Sequence, residues 1–511
     1  MAKKLSLGDS FQTFGEWFLP ENPERKIAGT LSYGDKGVEL EIQNAFVPLR
    51  GLIDPGGSLQ TYAVVMGTTR ESEAMTIFNA QRAGMSFTSG SGGHSQPEKL
   101  ISPLLIVGAH VPHDFEYPAM SFRIPGLQVW FSRTVIHELH DKDEVTGKYT
   151  HSYSVDGIEL EIFYVPLIAG KLEFGYQWTS NTDPFSSVDV KVTGWVTVRP
   201  DKPKEIHWYL DKLRIITSML TFISGTSMSP DCIQADIGQK HHDVTCLISF
   251  ANRKCCDYKN HHDFFLLHSG LGVDLNDVIN RWFDVYQKVN KPSELAISVL
   301  SSEDLWLHVK FLSLMQALEG FHRALYDGNY MDEKEYTKVK KSLGDAIPEI
   351  VASDHKEALK SRIKYGNQIA LRKRLDFLVG LFPEKIRRIL LGPDGKVPRS
   401  WIDTRNYYTH WDEELTANVL DYQEMYDTNV RMMVLLRVLY LALMGIPDES
   451  ILGALSKYSR DSQHLVQINA RALRKTGHEI KGVIVSTTEQ PAEETDKTLG
   501  KDLSDELPKL S

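Results

Sequence analysis

Within the 511-residue chain, the segment Asp403-Thr404-Arg405-Asn406-Tyr407-Tyr408-Thr409-His410 gathers side chains that can act on a phosphodiester. RNA carries its own nucleophile, the 2′-hydroxyl. Its cleavage therefore needs a group that moves a proton near neutral pH and a cation for the charge that builds on phosphorus oxygens. Histidine is the residue type suited to the first task, and arginine, with its planar fork of donors, to the second. His410 and Arg405 supply one of each. On an ideal helix, positions five apart point roughly 140° away from each other, so one chain's pair converges poorly on one phosphate. Two copies related by a two-fold axis would line a single cleft with both motifs.

Spacing alone does not single out this pair, because Arg133 and His140 are similarly spaced. They fall where apolar residues alternate, and there a strand arginine and a turn histidine are the economical reading. The surrounding elements therefore decide. From about Lys26 to Arg199 the period is two, as in Val38-Leu40-Ile42 and Val188-Val190-Val192, with a turn at Gly34-Asp35-Lys36-Gly37. A helix from about Pro203 to Ser224, stopped by Gly225, closes the sheet layer. Beyond Gly270 the period becomes 3.6, which predicts helices over Leu275–Lys288, Glu303–Tyr326, Asp332–Ala346, His355–Tyr365, Gln368–Phe382 and Gln423–Met444. Arg405 falls near the start of a further helical element, with Asp403 or Thr404 as its N-cap. The fold class is α+β and multidomain, a β-rich N-terminal domain followed by an all-α bundle. From Val485 onward almost nothing is apolar, and a disordered acidic tail is expected.

The net charge of -10 argues against wholesale coating of nucleic acid but leaves room for a local basic face. Such a face spans Lys356 to Arg388 and includes Arg372, Lys373 and Arg374; the same charges suit a solvated helix surface equally well. Val430 to Ile446 is interrupted by Arg431 and Arg437, so no membrane span is expected, and the start has no apolar core for secretion. The four cysteines, Cys232, Cys246, Cys255 and Cys256, suit a reducing compartment and a cytoplasmic location. With His241, His242, His261 and His262 they bring zinc to mind. Without a Cys-x2-Cys pair, however, and with adjacent doublets that cannot easily face one ion, zinc is the lesser reading. The expectation is no metal and no cofactor.

At these residues the chain resembles the HEPN domains, and specifically the ApeA-type anti-phage proteins, in which a β-rich domain precedes a HEPN domain. Their motif is Arg-x4-6-His, often with Asn after Arg, as in Arg405-Asn406 through His410. An earlier acidic residue four positions before a basic one matches Glu319 and Arg323, and Gly15-Glu16-Trp17-Phe18-Leu19-Pro20-Glu21 resembles the opening of the N-terminal domain. The resemblance implies a sensing or regulatory domain over 1–265, a HEPN ribonuclease domain over 266–463 and an extension over 464–511. It also implies metal-independent cleavage of RNA, with transfer RNA as one candidate substrate, in a homodimer or higher even-numbered oligomer. The cleavage would stop growth in answer to a phage-derived trigger. Glu319 would orient Arg405 or Arg323, Asn406 would bind phosphate or fix the backbone, and Tyr407 and Tyr408 would stack a splayed base. A HEPN bundle that only binds RNA or protein is the alternative.

Overall fold

The computed structural model describes residues 5–47, 60–85, 88–90, 93–142, 144–157, 160–238, 243–249, 260–302, 304–411, 413–457 and 459–475. Cys255, Cys256, His241, His242 and the tail from Val485 lie outside them. Two units are distinguished, 1–469 and 470–511; all that follows concerns the first.

The alternating half folds as a sheet of thirteen strands among the described residues, one end of which closes on itself. Six strands make the closed ring: Ala74–Met85, Thr61–Thr69, Phe11–Leu19, Asn22–Gly34, Gly37–Ile42 and Glu98–Ser102, the last pairing back onto the first. Alternation sets the register. Val38, Leu40 and Ile42 point into the core, while Glu39 and Glu41 face outward and both meet Lys99, at 3.0 and 3.3 Å. The turn works because Gly37 adopts φ 81, which a side chain would resist.

Closure ends at Pro103. The chain before it, Glu98–Ser102, pairs inside the ring, and the chain after it, Leu104–Val107, pairs with Asp243–Ile248 in an open wing. Proline has no N–H to donate, so the ladder breaks there, and Ala74–Met85 bridges both parts, with one half against each. The wing continues through Cys232–Asp236, Ala119–Arg123, Ser187–Pro200, Gly170–Asp183 and Glu161–Val165. Its longest pair, Gly170–Asp183 with Ser187–Pro200, extends past the core, so Val188, expected on an alternating buried face, is 59% exposed.

Among the described residues the α-helices, in chain order, are α1 Leu127–Trp130, α2 Ile206–Ser224, α3 Leu275–Leu300, α4 Leu307–Leu325, α5 Glu333–Asp345, α6 Ser353–Lys364, α7 Leu371–Gly380, α8 Glu384–Leu391, α9 Arg399–His410, α10 Tyr422–Leu443, α11 Asp448–Ser456 and α12 Arg460–Lys475. α2 ends at Gly225 as the sequence predicts, and it joins the two halves as well as closing the sheet. Tyr209 Oη donates to Tyr117 O at 2.6 Å on the sheet side. On the other side Trp282 Nε1 of α3 donates to Ile215 O at 2.9 Å, and Phe222 stacks on Tyr440 of α10 at 3.9 Å. Each fully buried aromatic here stabilises by about 1.5–3 kcal/mol, so the two halves share one core.

Four expectations change. α3 runs on to Leu300, because buried Pro292 packs on Gly320 of α4, whose missing side chain admits it, and this packing carries the helix through its missing hydrogen bond. α9 begins at Arg399 after Pro398, so Asp403 and Thr404 lie inside the helix rather than at its cap. Arg405 is therefore the seventh of twelve helical residues, in the middle of the helix and not near its start. His140, expected in a turn, stands in the strand Ile136–Lys142.

Candidate active site

The segment 399–411 is held from its buried side. Trp401 is in the core, and Thr404, fully buried, accepts from Leu420 N at 2.9 Å, which fixes where the chain returns after the motif. Asp403 is buried and faces Arg399 Nε at 3.5 Å. Thr409 Oγ1 donates to Arg405 O at 2.7 Å, and the helix stops as Trp411 turns into the left-handed region at φ 53 while its N–H donates to Tyr407 O. Thus His410 is the last helical residue, at the exposed end of a pinned helix.

On this frame Arg405 is half-buried and its Nη1 donates to Asn406 Oδ1 at 3.2 Å. Among the described residues no carboxylate pairs with Arg405, and His410 has no hydrogen-bond partner. A guanidinium and an imidazole left open on one helix can meet an anion from solution.

Rings surround the motif. Tyr408 stacks on His308 of α4 at 5.5 Å with planes 13° apart, Tyr407 lies edge-on to Tyr408 at 5.2 Å, and Trp411 touches both. His308 covers one face of Tyr408, so the open ring is Trp411, 70% exposed, with Trp306 at 76% beyond His308. Neither tryptophan is singled out by the sequence reading. Trp306-x-His308 just ahead of a helix, and an aromatic directly after His410, were the signals.

The remaining site residues lie apart from this cluster. Glu319 binds Arg323 rather than Arg405, at 2.9 Å to Nε and 2.8 Å to Nη2, and Arg323 Nη1 donates to Gln368 Oε1 at 3.0 Å. Along α4 the eleven helical steps from His308 to Glu319 span roughly 16 Å, so within one chain the acidic motif stands well away from His308. The expectation that Arg374 meets RNA is corrected. It is 2% exposed, and its donors serve Ile369 O at 3.2 Å, His322 Nδ1 at 3.1 Å and Gly328 O at 3.3 Å. Burial, then Arg374 and Arg323, lower the pKa of His322, and burial likewise lowers that of Arg374. Arg372 pairs with Asp376 at 3.1 Å, while exposed Lys373 lies over the Tyr330 ring at 4.4 Å.

Cys232 and Cys246 are buried thiols on adjacent strands, and burial pushes the Cys246 thiol up, away from the thiolate that zinc requires. No helix of the described residues is long and apolar enough to cross a membrane.

Residues 13–282, more than half of the chain, match the family model for ApeA N-terminal domain 1, and residues 312–450 match that for Apea-like HEPN. No curated protein and no solved structure matches. The second match contains Glu319, Arg323, Arg405, Asn406 and His410; the first runs past α2 into α3, through the junction where the two halves share their core.

Proposed function

Because the chain belongs to the ApeA-type HEPN proteins of anti-phage defence, we propose that it is a metal-independent endoribonuclease acting by abortive infection. One observation carries the reading. Half-buried Arg405 in the middle of α9 and His410 at its exposed end stand without a carboxylate partner among the described residues, on a helix whose buried side is fixed. His410 takes the proton from the 2′-hydroxyl, that oxygen attacks the adjacent phosphorus, and Arg405 neutralises the equatorial oxygens as their charge grows. The P–O5′ bond breaks, the 5′-oxygen takes up a proton, and the products end in a 2′,3′-cyclic phosphate and a 5′-hydroxyl. The 140° between the two positions makes a homodimer the working unit, with each cleft lined from two subunits.

Transfer RNA is a fitting substrate, since unpaired loops offer bases for Trp411 and Tyr407 to stack. A nuclease of this kind must be restrained, and the β-rich half is the part in which a phage-derived trigger would act, in the cytoplasm. The exposed rings also favour a second reading, a HEPN module that binds RNA without cutting it. Incubating total RNA with the purified protein in excess chelator separates the two. Cleavage leaving cyclic phosphate ends, absent from Arg405→Ala and His410→Ala, supports the nuclease. Activity that survives both substitutions overturns it, and tight binding without cleavage, even with extract from infected cells, favours the binder. Restored activity in mixed dimers of the two variants would reveal residues contributed across the interface.

A further inference from the structure

The strands Ile136–Lys142 and Tyr149–Val155 form a hairpin outside the main sheet, and its register brings an unassigned group of side chains together. His140 lies opposite His151, and Glu138, two residues earlier and so on the same face, lies opposite Tyr153. Glu138 Oε1 is 3.4 Å from His140 Nε2 and 4.0 Å from His151 Nδ1, and the three ligand atoms fall within 4.8 Å of one another. We propose that Glu138, His140 and His151 hold a divalent ion of the zinc type.

Bonds of about 2.0–2.1 Å in tetrahedral geometry require ligand atoms roughly 3.3 Å apart, so the trio closes on an ion by side-chain movements of about an ångström. Two imidazoles and one carboxylate select zinc, nickel or copper over magnesium and calcium, which prefer all-oxygen shells. A support for the carboxylate is already in place, since Tyr153 Oη donates to Glu138 Oε1 at 2.9 Å. The ligands are accessible, with side chains 45–59% exposed. The hairpin also gains from a staple. It buries almost nothing, leaves Leu139 60% and Tyr149 64% exposed, and pairs with no third strand among the described residues. A two-stranded hairpin of this kind is marginal in water, and an ion bridging Glu138 and His140 to His151 ties its strands together. Three protein ligands leave the fourth position for water.

The test is zinc titration of the full chain against a chromophoric chelator, with cobalt loading as the spectroscopic readout. The wild type is expected to take up one ion that His140→Ala and His151→Ala each lose, with far-UV circular dichroism unchanged. Tyr153→Phe should weaken it about tenfold. Cobalt bound there gives d–d bands of a nitrogen and oxygen site without thiolate charge transfer, which separates it from any ion held by the cysteines. Zinc uptake equal in the wild type and both histidine variants, no uptake by the wild type, or a thiolate band accounting for all bound cobalt would overturn the proposal.

Discussion

Arg82 in the barrel and Arg405 on α9 are set in opposite ways. Arg82 and Glu98 have side chains 3% and 0% exposed, with Arg82 Nε 2.6 Å from Glu98 Oε1. Arg82 Nη2 also reaches Val47 O at 2.9 Å and Tyr62 Oη at 3.2 Å, while Glu98 accepts from Phe46 N and from Tyr62, whose hydroxyl is pushed up to about 12, chiefly by burial. Around Arg405 the side-chain contact is a neutral amide one residue away. A buried charge persists only when its partners are supplied from within, so Arg82 serves the fold. Arg405 keeps donors for a partner from outside.

The largest effect that tests this contrast is on catalysis. His410→Ala should lower RNA cleavage by about 10²–10⁴-fold, the usual range for a proton-transfer group, and Arg405→Ala by about 10²–10³-fold, that of a donor to developing charge, while the unfolding free energy from urea titration changes by no more than about 0.5 kcal/mol. A stability loss as large as the activity loss would mean that these residues build the helix rather than the chemistry. In the barrel the pattern reverses. Glu98→Ala leaves Arg82 charged and buried, and should destabilise by about 3–5 kcal/mol in equilibrium unfolding. A loss under 1 kcal/mol would show that water reaches the pair.

Within the bundle, Arg374→Ala strips donors from Gly328 O, Ile369 O and His322, and is expected to cost about 1–3 kcal/mol. Neighbouring Arg372→Ala should stay within about 0.5 kcal/mol. Weaker RNA binding from Arg374→Ala at unchanged stability would contradict its inward role.

What the sequence could tell follows the same division. Val38, Leu40 and Ile42 are legible because alternation is a local property, and so is the Arg405 to His410 spacing. Barrel closure is not, since it depends on Pro103 separating two ladders and on Ala74–Met85 serving both. Arg372, Lys373 and Arg374 read alike in a basic run, yet a 100° step between neighbours puts only the last of them against His322. Pro292 ends a helix on paper, and only its contact with Gly320 explains why α3 continues. The left-handed turn at Trp411, which sets the exposed end of α9, has no glycine to announce it.

His322 gives a smaller effect, on pH. Its pKa is lowered in the folded chain, mainly by burial, so the native form is neutral. As pH falls below roughly 6.5, the unfolded chain takes up the proton first and stability declines until the native pKa is also passed. The melting temperature should therefore drop between pH 7.5 and 5.5, and less so in His322→Gln, which keeps an acceptor for Arg374. Equal slopes would assign the acid sensitivity to other groups, half-buried His268 first among them, since partial burial lowers its pKa too.

The smallest effect belongs to Glu319 and Arg323. Their contact is an i, i+4 pair with Arg323 45% and Glu319 21% exposed, and such pairs contribute about 0.3–0.5 kcal/mol. If the pair only ties α4 to Gln368, Glu319→Ala and Arg323→Ala should each cost about that much and leave cleavage within a few-fold of the wild type. The two-fold arrangement offers the other outcome, because a partner subunit can bring its own Arg405 to a Glu319 that pairs with Arg323 in its own chain. In that case Glu319→Gln, close in shape but uncharged, would lower the cleavage rate tenfold or more with no change in the unfolding midpoint. That result would move Glu319 from the scaffold, where the geometry within one chain puts it, to the group that positions the catalytic arginine across the interface.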